Sequence, residues 1–216
     1  MHTFRILSAL LAYPTRDLLE GLDTLPPLLD AEALVPTAER RALARFITRL
    51  GHASLLDAQE VYVGLFDRNR SLSLHLFEHV HGESRQRGQA LVRLAALYQL
   101  YGLEIAAHEL PDYLPLYLEF LSLLPEETAR SLLAEPAPVI AALAGKLEDR
   151  DSDYAAPMRA VVALAGRTPD AHAVSTLRDR LPPDADNLAA LDAAWEEEAV
   201  RFVASASPEA CGSVAP

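Results

Sequence analysis

Tyr113-Leu114-Pro115-Leu116-Tyr117-Leu118-Glu119-Phe120-Leu121-Ser122-Leu123-Leu124 is the stretch that decides the fold. Leu114, Tyr117, Leu118 and Leu121 follow helical spacing along one side, while Leu116, Phe120 and Leu123 fill another. A helix apolar nearly all round belongs at the centre of a bundle, where no face meets water. Pro115 falls in its first turn, where a missing amide is tolerated. Asp112 is set to cap it by accepting from the Leu114 amide, its charge complementing the helix dipole.

Composition extends this reading to the whole chain. The 216 residues include 39 Leu and 37 Ala against 12 Val and 4 Ile. Leu and Ala favour helices, whereas Val and Ile favour strands. Nine glycines leave few tight hairpins, and a 50% hydrophobic content suffices for one core. The expectation is an all-α protein: a single globular helical bundle with a less ordered C-terminal extension.

Prolines cut the chain into helix-sized pieces. The first runs from Thr3, as cap, to Ala12, and the second from Asp17 to Leu25, stopped by Pro26-Pro27. A third runs from Thr37 to Gly51 with Leu43, Phe46, Ile47 and Leu50 inward; a fourth starts at Ser54 with Val61, Leu65 and Phe66 inward. Leu72 to Val80 reads as one short helix closed by Gly82, and Ser84 opens a long one striped with Leu91, Leu94, Ala95, Tyr98 and Tyr101. Glu126–Ala134, Val139–Leu147 and Ala156–Leu164 follow the central helix. Periodicity weakens after Gly166 and returns in Leu188–Val203, which carries Trp195; no internal repeat is present. The division is therefore residues 1–166 as the helical domain, 167–204 as an extension with one amphipathic helix, and 205–216 as a disordered tail.

Charge excludes several functions. With 31 acidic and 19 basic residues the net charge is −12, and Lys146 is the only lysine. Nucleic-acid binding needs a basic surface, so it is excluded. A lone Cys211 makes no internal disulfide, which fits a reducing compartment. No apolar run approaches the ~18 residues of a membrane span. Ile6–Ala12 leads into Tyr13-Pro14 and then Asp17 and Glu20, which suits a core helix better than a signal peptide. Cytoplasmic location without stable membrane association follows as an expectation.

Chemistry concentrates in His75-Leu76-Phe77-Glu78-His79-Val80-His81. On a continuous helix His75 and His79 stand i,i+4 and Glu78 i+3 from His75, so all three face one point. This matches the H-x-x-E-H zinc signature, in which two histidines hold the metal and the glutamate activates water. The fold known for that chemistry contains strands, which the composition does not support. Glu78-x-x-His81 also matches half of a di-iron site, but a second copy is missing, since Glu104 and His108 are one residue too far apart. The bland reading is local hydrogen bonding where a helix meets a loop. In Tyr62-Val63-Gly64-Leu65-Phe66 the spacing buries Leu65 and lets Tyr62 and Phe66, one turn apart, line a groove. No glycine-rich phosphate loop and no Ser–His–Asp or Cys–His arrangement is present.

Taken together, Leu65-Phe66-Asp67-Arg68, Ser71 to Arg85, Arg87-Gly88-Gln89, Glu109-Leu110-Pro111-Asp112, Leu114-Pro115, Leu118-Glu119-Phe120-Leu121 and Trp195-Glu196-Glu197 resemble one family. It is that of the respiratory nitrate reductase molybdenum cofactor assembly chaperones, or delta subunits, within the wider TorD/DmsD-like group. The resemblance implies a TorD-like helical fold, no catalysis, and no cofactor or metal of its own. It implies a partner, the N-terminal peptide of the nitrate reductase catalytic (alpha) subunit. The chaperone keeps that apoenzyme competent until the molybdenum cofactor is inserted and delays membrane attachment; the insertion machinery is a further partner.

Two motifs of the group map residue by residue. An aromatic-x-x-Leu-Phe pattern falls on Tyr62, Leu65 and Phe66, and Glu-Leu-Pro-Asp-His falls on Glu109, Leu110, Pro111, Asp112 and Tyr113. Tyr113 stands where the family usually has histidine, which removes a titratable imidazole but keeps an aromatic face and a hydroxyl. The implied peptide-binding set is Tyr62, Leu65, Phe66, His75, Glu78, His79, Glu109, Pro111, Asp112 and Tyr113. A helical peptide in a groove needs apolar pockets for its anchors, and the acidic field attracts a basic segment. A histidine cluster titrating near neutrality tunes such binding. The competing readings are a zinc-dependent hydrolase using His75, Glu78 and His79, and direct carriage of the cofactor by Arg68, Arg70, Arg85 and Arg87.

Overall fold

A computed structural model describes residues 1–82, 84–105 and 109–182. The expected helix Leu188–Val203 with Trp195, the tail with Cys211, and His108 lie outside the described residues. The elements are α1 (His2–Leu11), α2 (Arg16–Gly21), α3 (Leu25–Glu32), α4 (Thr37–His52), α5 (Leu55–Tyr62), α6 (Leu76–His81), α7 (Arg85–Leu100), α8 (Leu114–Ser122), α9 (Glu126–Ala134), α10 (Ala137–Asp149), α11 (Ala155–Leu164) and α12 (Ala171–Arg180). Single 3₁₀ turns cover Leu22–Thr24 and Arg70–Leu72, and a π turn covers Val63–Asp67. Among the described residues there is no β-strand, only an isolated antiparallel bridge between His75 and Tyr113. The fold is all-α, as the composition requires.

The α8 helix lies at the centre. Leu114, Leu118 and Leu121 are fully buried, Tyr117 and Phe120 nearly so, and only Glu119 in the helix is exposed. Its main neighbour is α1, whose Phe4, Leu7, Leu10 and Leu11 are buried too. Burying one leucine of this kind contributes about 2 kcal/mol. The Ser8 hydroxyl, on α1, ties the pair by donating to the Pro115 carbonyl at 2.7 Å. Beyond α1 the core continues through α11, which packs on α4 and α10.

Helix ends depart from the sequence reading where caps come from distant residues. Thr3 does not cap α1 but lies inside it. The cap is Glu32, the last residue of α3, which accepts from the His2 amide, the Thr3 amide and the Thr3 hydroxyl, each at 2.7 Å. Those bonds outweigh the opposing effect of burial and hold the Glu32 carboxyl below its ordinary pKa. Pro26-Pro27 start α3 rather than stopping α2, because proline suits the first turn. Val61 points to solvent at 52% exposure. Ala171–Arg180, in the stretch of weak periodicity, forms α12, capped by Asp170 accepting from the Ala173 amide and packed on α10.

Candidate functional site

Ser54 caps α5 by accepting from the Asp57 amide, and the helix then widens into a π turn in which the Arg68 amide donates to the Val63 carbonyl. This segment presents Tyr62 and Phe66 inward, at 3% and 6% exposure, and leaves Leu65 half-buried. The inward place of Phe66 in the fourth helix agrees with the sequence reading, whereas the buried Leu65 and the groove-lining Tyr62 and Phe66 that the spacing also suggested do not. The rings of Tyr62 and Phe66 lie 4.9 Å apart, and both pack edge-on against Tyr154. They are an aromatic cluster of the core, so neither lines an open groove. The Tyr62 hydroxyl donates to the Leu11 carbonyl at 3.1 Å and meets the Tyr113 hydroxyl at 2.9 Å. With its one proton spent on Leu11, Tyr62 accepts from Tyr113.

Leu72–Val80 is not one helix. A 3₁₀ turn at Arg70–Leu72, capped by Asn69 accepting from the Ser71 amide, is followed by extended chain, and α6 begins only at Leu76. The extended part pairs with the segment before α8. The Leu114 amide donates to the Leu74 carbonyl at 2.9 Å, and the Leu76 amide to the Asp112 carbonyl at 3.1 Å. That pairing takes the amide Asp112 was expected to cap. Its carboxylate turns instead to α6, accepting from the Phe77 amide at 3.0 Å and approaching His75 Nδ1 at 3.4 Å. Asp112 is fully buried, so the exposed acid that a direct contact needs is absent. It caps α6 in place of His75, whose side chain makes no cap bond. The hydrogen bond to Asp112, opposed by burial, raises the His75 pKa.

His75, Asp112, Tyr113 and Tyr62 thus form one connected group, with the His75 and Tyr113 rings 5.4 Å apart. Tyr113 joins it through its hydroxyl and ring. Tyr98, on α7, holds the same loop by donating to the Pro111 carbonyl at 2.7 Å. Pro111 is half-buried and Glu109 exposed.

His79 and Glu78 point elsewhere. His79 donates Nε2–H to the Ser73 carbonyl at 2.7 Å, and burial lowers its pKa, so it stands neutral near pH 7. Glu78 pairs with Arg87 at 3.0 Å. Because His75 precedes the helix and each imidazole serves a different oxygen, the i,i+4 geometry behind the zinc reading does not form. Among the described residues, no three His, Cys, Asp or Glu side chains are grouped to hold a metal ion. Of the four arginines considered for cofactor carriage, Arg70 and Arg87 line one pocket, while Arg85 lines another with Val92 and Arg93.

The sequence reading missed an apolar cleft of about 300 Å³ between α6, α7, α8 and the α9–α10 corner. Leu76, Phe77, Val80, Leu94, Leu97 and Leu132 line it, with Asp112 in its wall and Glu135 at its edge. Val80, in the outer wall of the cleft, is 51% exposed. The cleft's signal in the sequence was the set Leu76, Phe77 and Val80, at helical spacing on one side of 76–81, hidden by the attention the histidines draw.

The comparisons with known proteins agree with one another. The model of the nitrate reductase delta subunit family matches residues 32–160. The nitrate reductase molybdenum cofactor assembly chaperone NarJ of Escherichia coli K12 is 42% identical over 212 residues, covering 97% of this chain and 87% of that protein. The probable chaperone NarW of the same strain is 42% identical over 203 residues, covering 94% and 84%. The probable chaperone NarJ of Bacillus subtilis 168 is 33% identical over 165 residues, covering 74% and 86%. The chain belongs to the nitrate reductase delta subunit family.

Proposed function

We propose that this protein is a non-catalytic assembly chaperone for a respiratory nitrate reductase. It binds the N-terminal segment of the catalytic subunit, keeps the apoenzyme competent for molybdenum cofactor insertion, and delays membrane attachment. The observation that carries this is the near full-length similarity to molybdenum cofactor assembly chaperones. Its site is in the cytoplasm, where the cofactor insertion machinery is a further partner; no helix of the described residues is long and apolar enough to cross a membrane.

The geometry supports a two-part surface for the peptide. The apolar cleft beside α6 takes the anchors of a helical segment, and the exposed Glu135 at its edge favours a basic one. Next to it Leu65, His75, Glu109, Pro111 and Tyr113 supply partly exposed contacts, while the buried Tyr62, Phe66 and Asp112 hold them in place. Glu78 and His79 face a different pocket and act on the peptide only through α6. Residues 1–166 form the body of this binding domain, and 167–204 extend it.

Expression of the reductase with and without this chain tests the role. The expected result is a catalytic subunit low in molybdenum when the chain is absent and restored when it is supplied. Equal molybdenum content in both would overturn it.

A further inference from the structure

Of the sixteen residues in α7 only Tyr98 is buried. Leu91, Leu94 and Leu97 are half-buried, while Val92 and Leu100 stand 69% and 80% exposed. A helix in a protein draws most of its stability from packing an apolar face, so α7 is short of a neighbour. Its outer face is also basic: Arg85 and Arg93 are exposed, and the helix carries no acidic residue. Gly88 leaves a dent there, bordered by Arg85, Gln89, Val92 and Arg93. A Cβ added at Gly88 meets nothing within 4 Å, so the dent is open.

We infer that this face is the docking surface for the chain's own segment Leu188–Val203, seated as a helix with Trp195 over Gly88. Leu188, Leu191, Trp195, Ala199 and Phe202 recur at helical spacing, an apolar stripe to meet Val92 and Leu100. Asp192, Glu196 and Glu198 flank that stripe, which suits the basic rim that Arg85 and Arg93 give α7. Position agrees as well. Pro182 lines one pocket with Arg87 of the first α7 turn, and Lys146 holds the Pro182 carbonyl at 2.8 Å. From there the five residues 183–187 span up to about 17 Å, enough to bring Leu188 onto α7. So short a link holds the segment at about millimolar effective concentration, ahead of a free partner of the same chemistry. The indole fills the dent with guanidinium groups beside it. Leu94 and Leu97 of α7 line the apolar cleft, so the docked segment braces that wall without entering the cleft. The inference does not depend on the identity of the peptide partner.

Trp195 is the one tryptophan in the sequence, so its fluorescence reads this contact alone. Emission and acrylamide quenching of the full chain, wild type and variants, test the inference. Wild type should emit to the blue of an exposed indole and resist acrylamide at every protein concentration. Gly88→Leu fills the dent and Val92→Asp charges it, both at exposed positions. Each should shift the emission to the red and open Trp195 to acrylamide. Arg93→Glu should do so to a smaller extent, and added salt should act in the same direction. A wild-type Trp195 as accessible as a free indole overturns the inference. So does a shielded Trp195 that neither Gly88→Leu nor Val92→Asp releases, which seats it elsewhere. Shielding that fades on dilution also overturns it, because the occupant is then a second copy.

Discussion

Replacing Asp112 by alanine removes a fully buried carboxylate that caps one helix from another segment. Two donors lose their acceptor: the Phe77 amide at 3.0 Å and His75 Nδ1 at 3.4 Å. The first is a good hydrogen bond to a charged group at a helix N-terminus, and the second is long. Helix caps contribute about 1–2 kcal/mol, and bonds to charged groups about 1.5–3 kcal/mol. Removal of the buried charge itself offsets part of the loss. The net expectation for Asp112→Ala is therefore about 2–4 kcal/mol, and about 1–2 kcal/mol for Asp112→Asn, whose amide oxygen still accepts from Phe77.

The loss also depends on pH. The His75 pKa is raised in the folded protein above the ~6.5 of an unfolded chain. Such a group contributes stability that is fully present below the unfolded value and is lost as pH rises through the folded one. Urea unfolding followed by circular dichroism, at about pH 5.5 and about pH 8.5, measures this. The difference between wild type and Asp112→Asn should be larger at the lower pH. A cost for Asp112→Ala below about 1 kcal/mol, or a wild type-to-Asn difference that is flat across that range, refutes the assignment of Asp112 as cap and His75 partner.

Three further outcomes follow from the same structure. Glu32→Ala uncaps α1 and should cost about 1–2 kcal/mol near neutrality in urea unfolding; because the folded pKa is lowered, its contribution fades as pH falls from the ordinary carboxylate value through the folded one. Leu118→Ala leaves a cavity at the centre of α8 and should cost about 2–5 kcal/mol, read as a lower urea midpoint with an unchanged slope. Tyr113→Phe removes the hydroxyl that donates to Tyr62 while Tyr62 keeps Leu11, so the cost should stay near 0.5–1.5 kcal/mol, roughly that of one neutral hydrogen bond.

What the sequence revealed and what it hid divide along a physical line. The central helix was legible because its own residues carry the information: leucines at helical spacing, a proline in the first turn, and little polar surface. The caps of α1 and α6 were not. Glu32 reaches α1 across some thirty positions, and Asp112 reaches α6 across thirty-five, so no local pattern announces either bond. The 71–80 stretch misled for a related reason. Its pairing with residues 112–114 holds it extended at the point where helical spacing would align His75 with His79. The α12 helix was missed because none of its residues is buried, which leaves its apolar stripe weak. In the candidate site, the motif residues were found by type but not by role. Tyr62, Phe66 and Asp112 brace the surface from below, and the apolar cleft beside them is assembled from four separate segments.

Peptide binding is the central claim, and calorimetry tests it most directly. A synthetic peptide of the catalytic subunit's N-terminal segment is titrated into wild type and into Val80→Asp, which puts a charge in the exposed wall of the cleft without touching the core. Release must follow binding in a chaperone cycle, so the expected affinity for wild type is in the micromolar to nanomolar range, roughly −8 to −12 kcal/mol. Val80→Asp should weaken it at least about tenfold while leaving the urea midpoint unchanged. Wild type that shows no binding at high micromolar peptide contradicts the account.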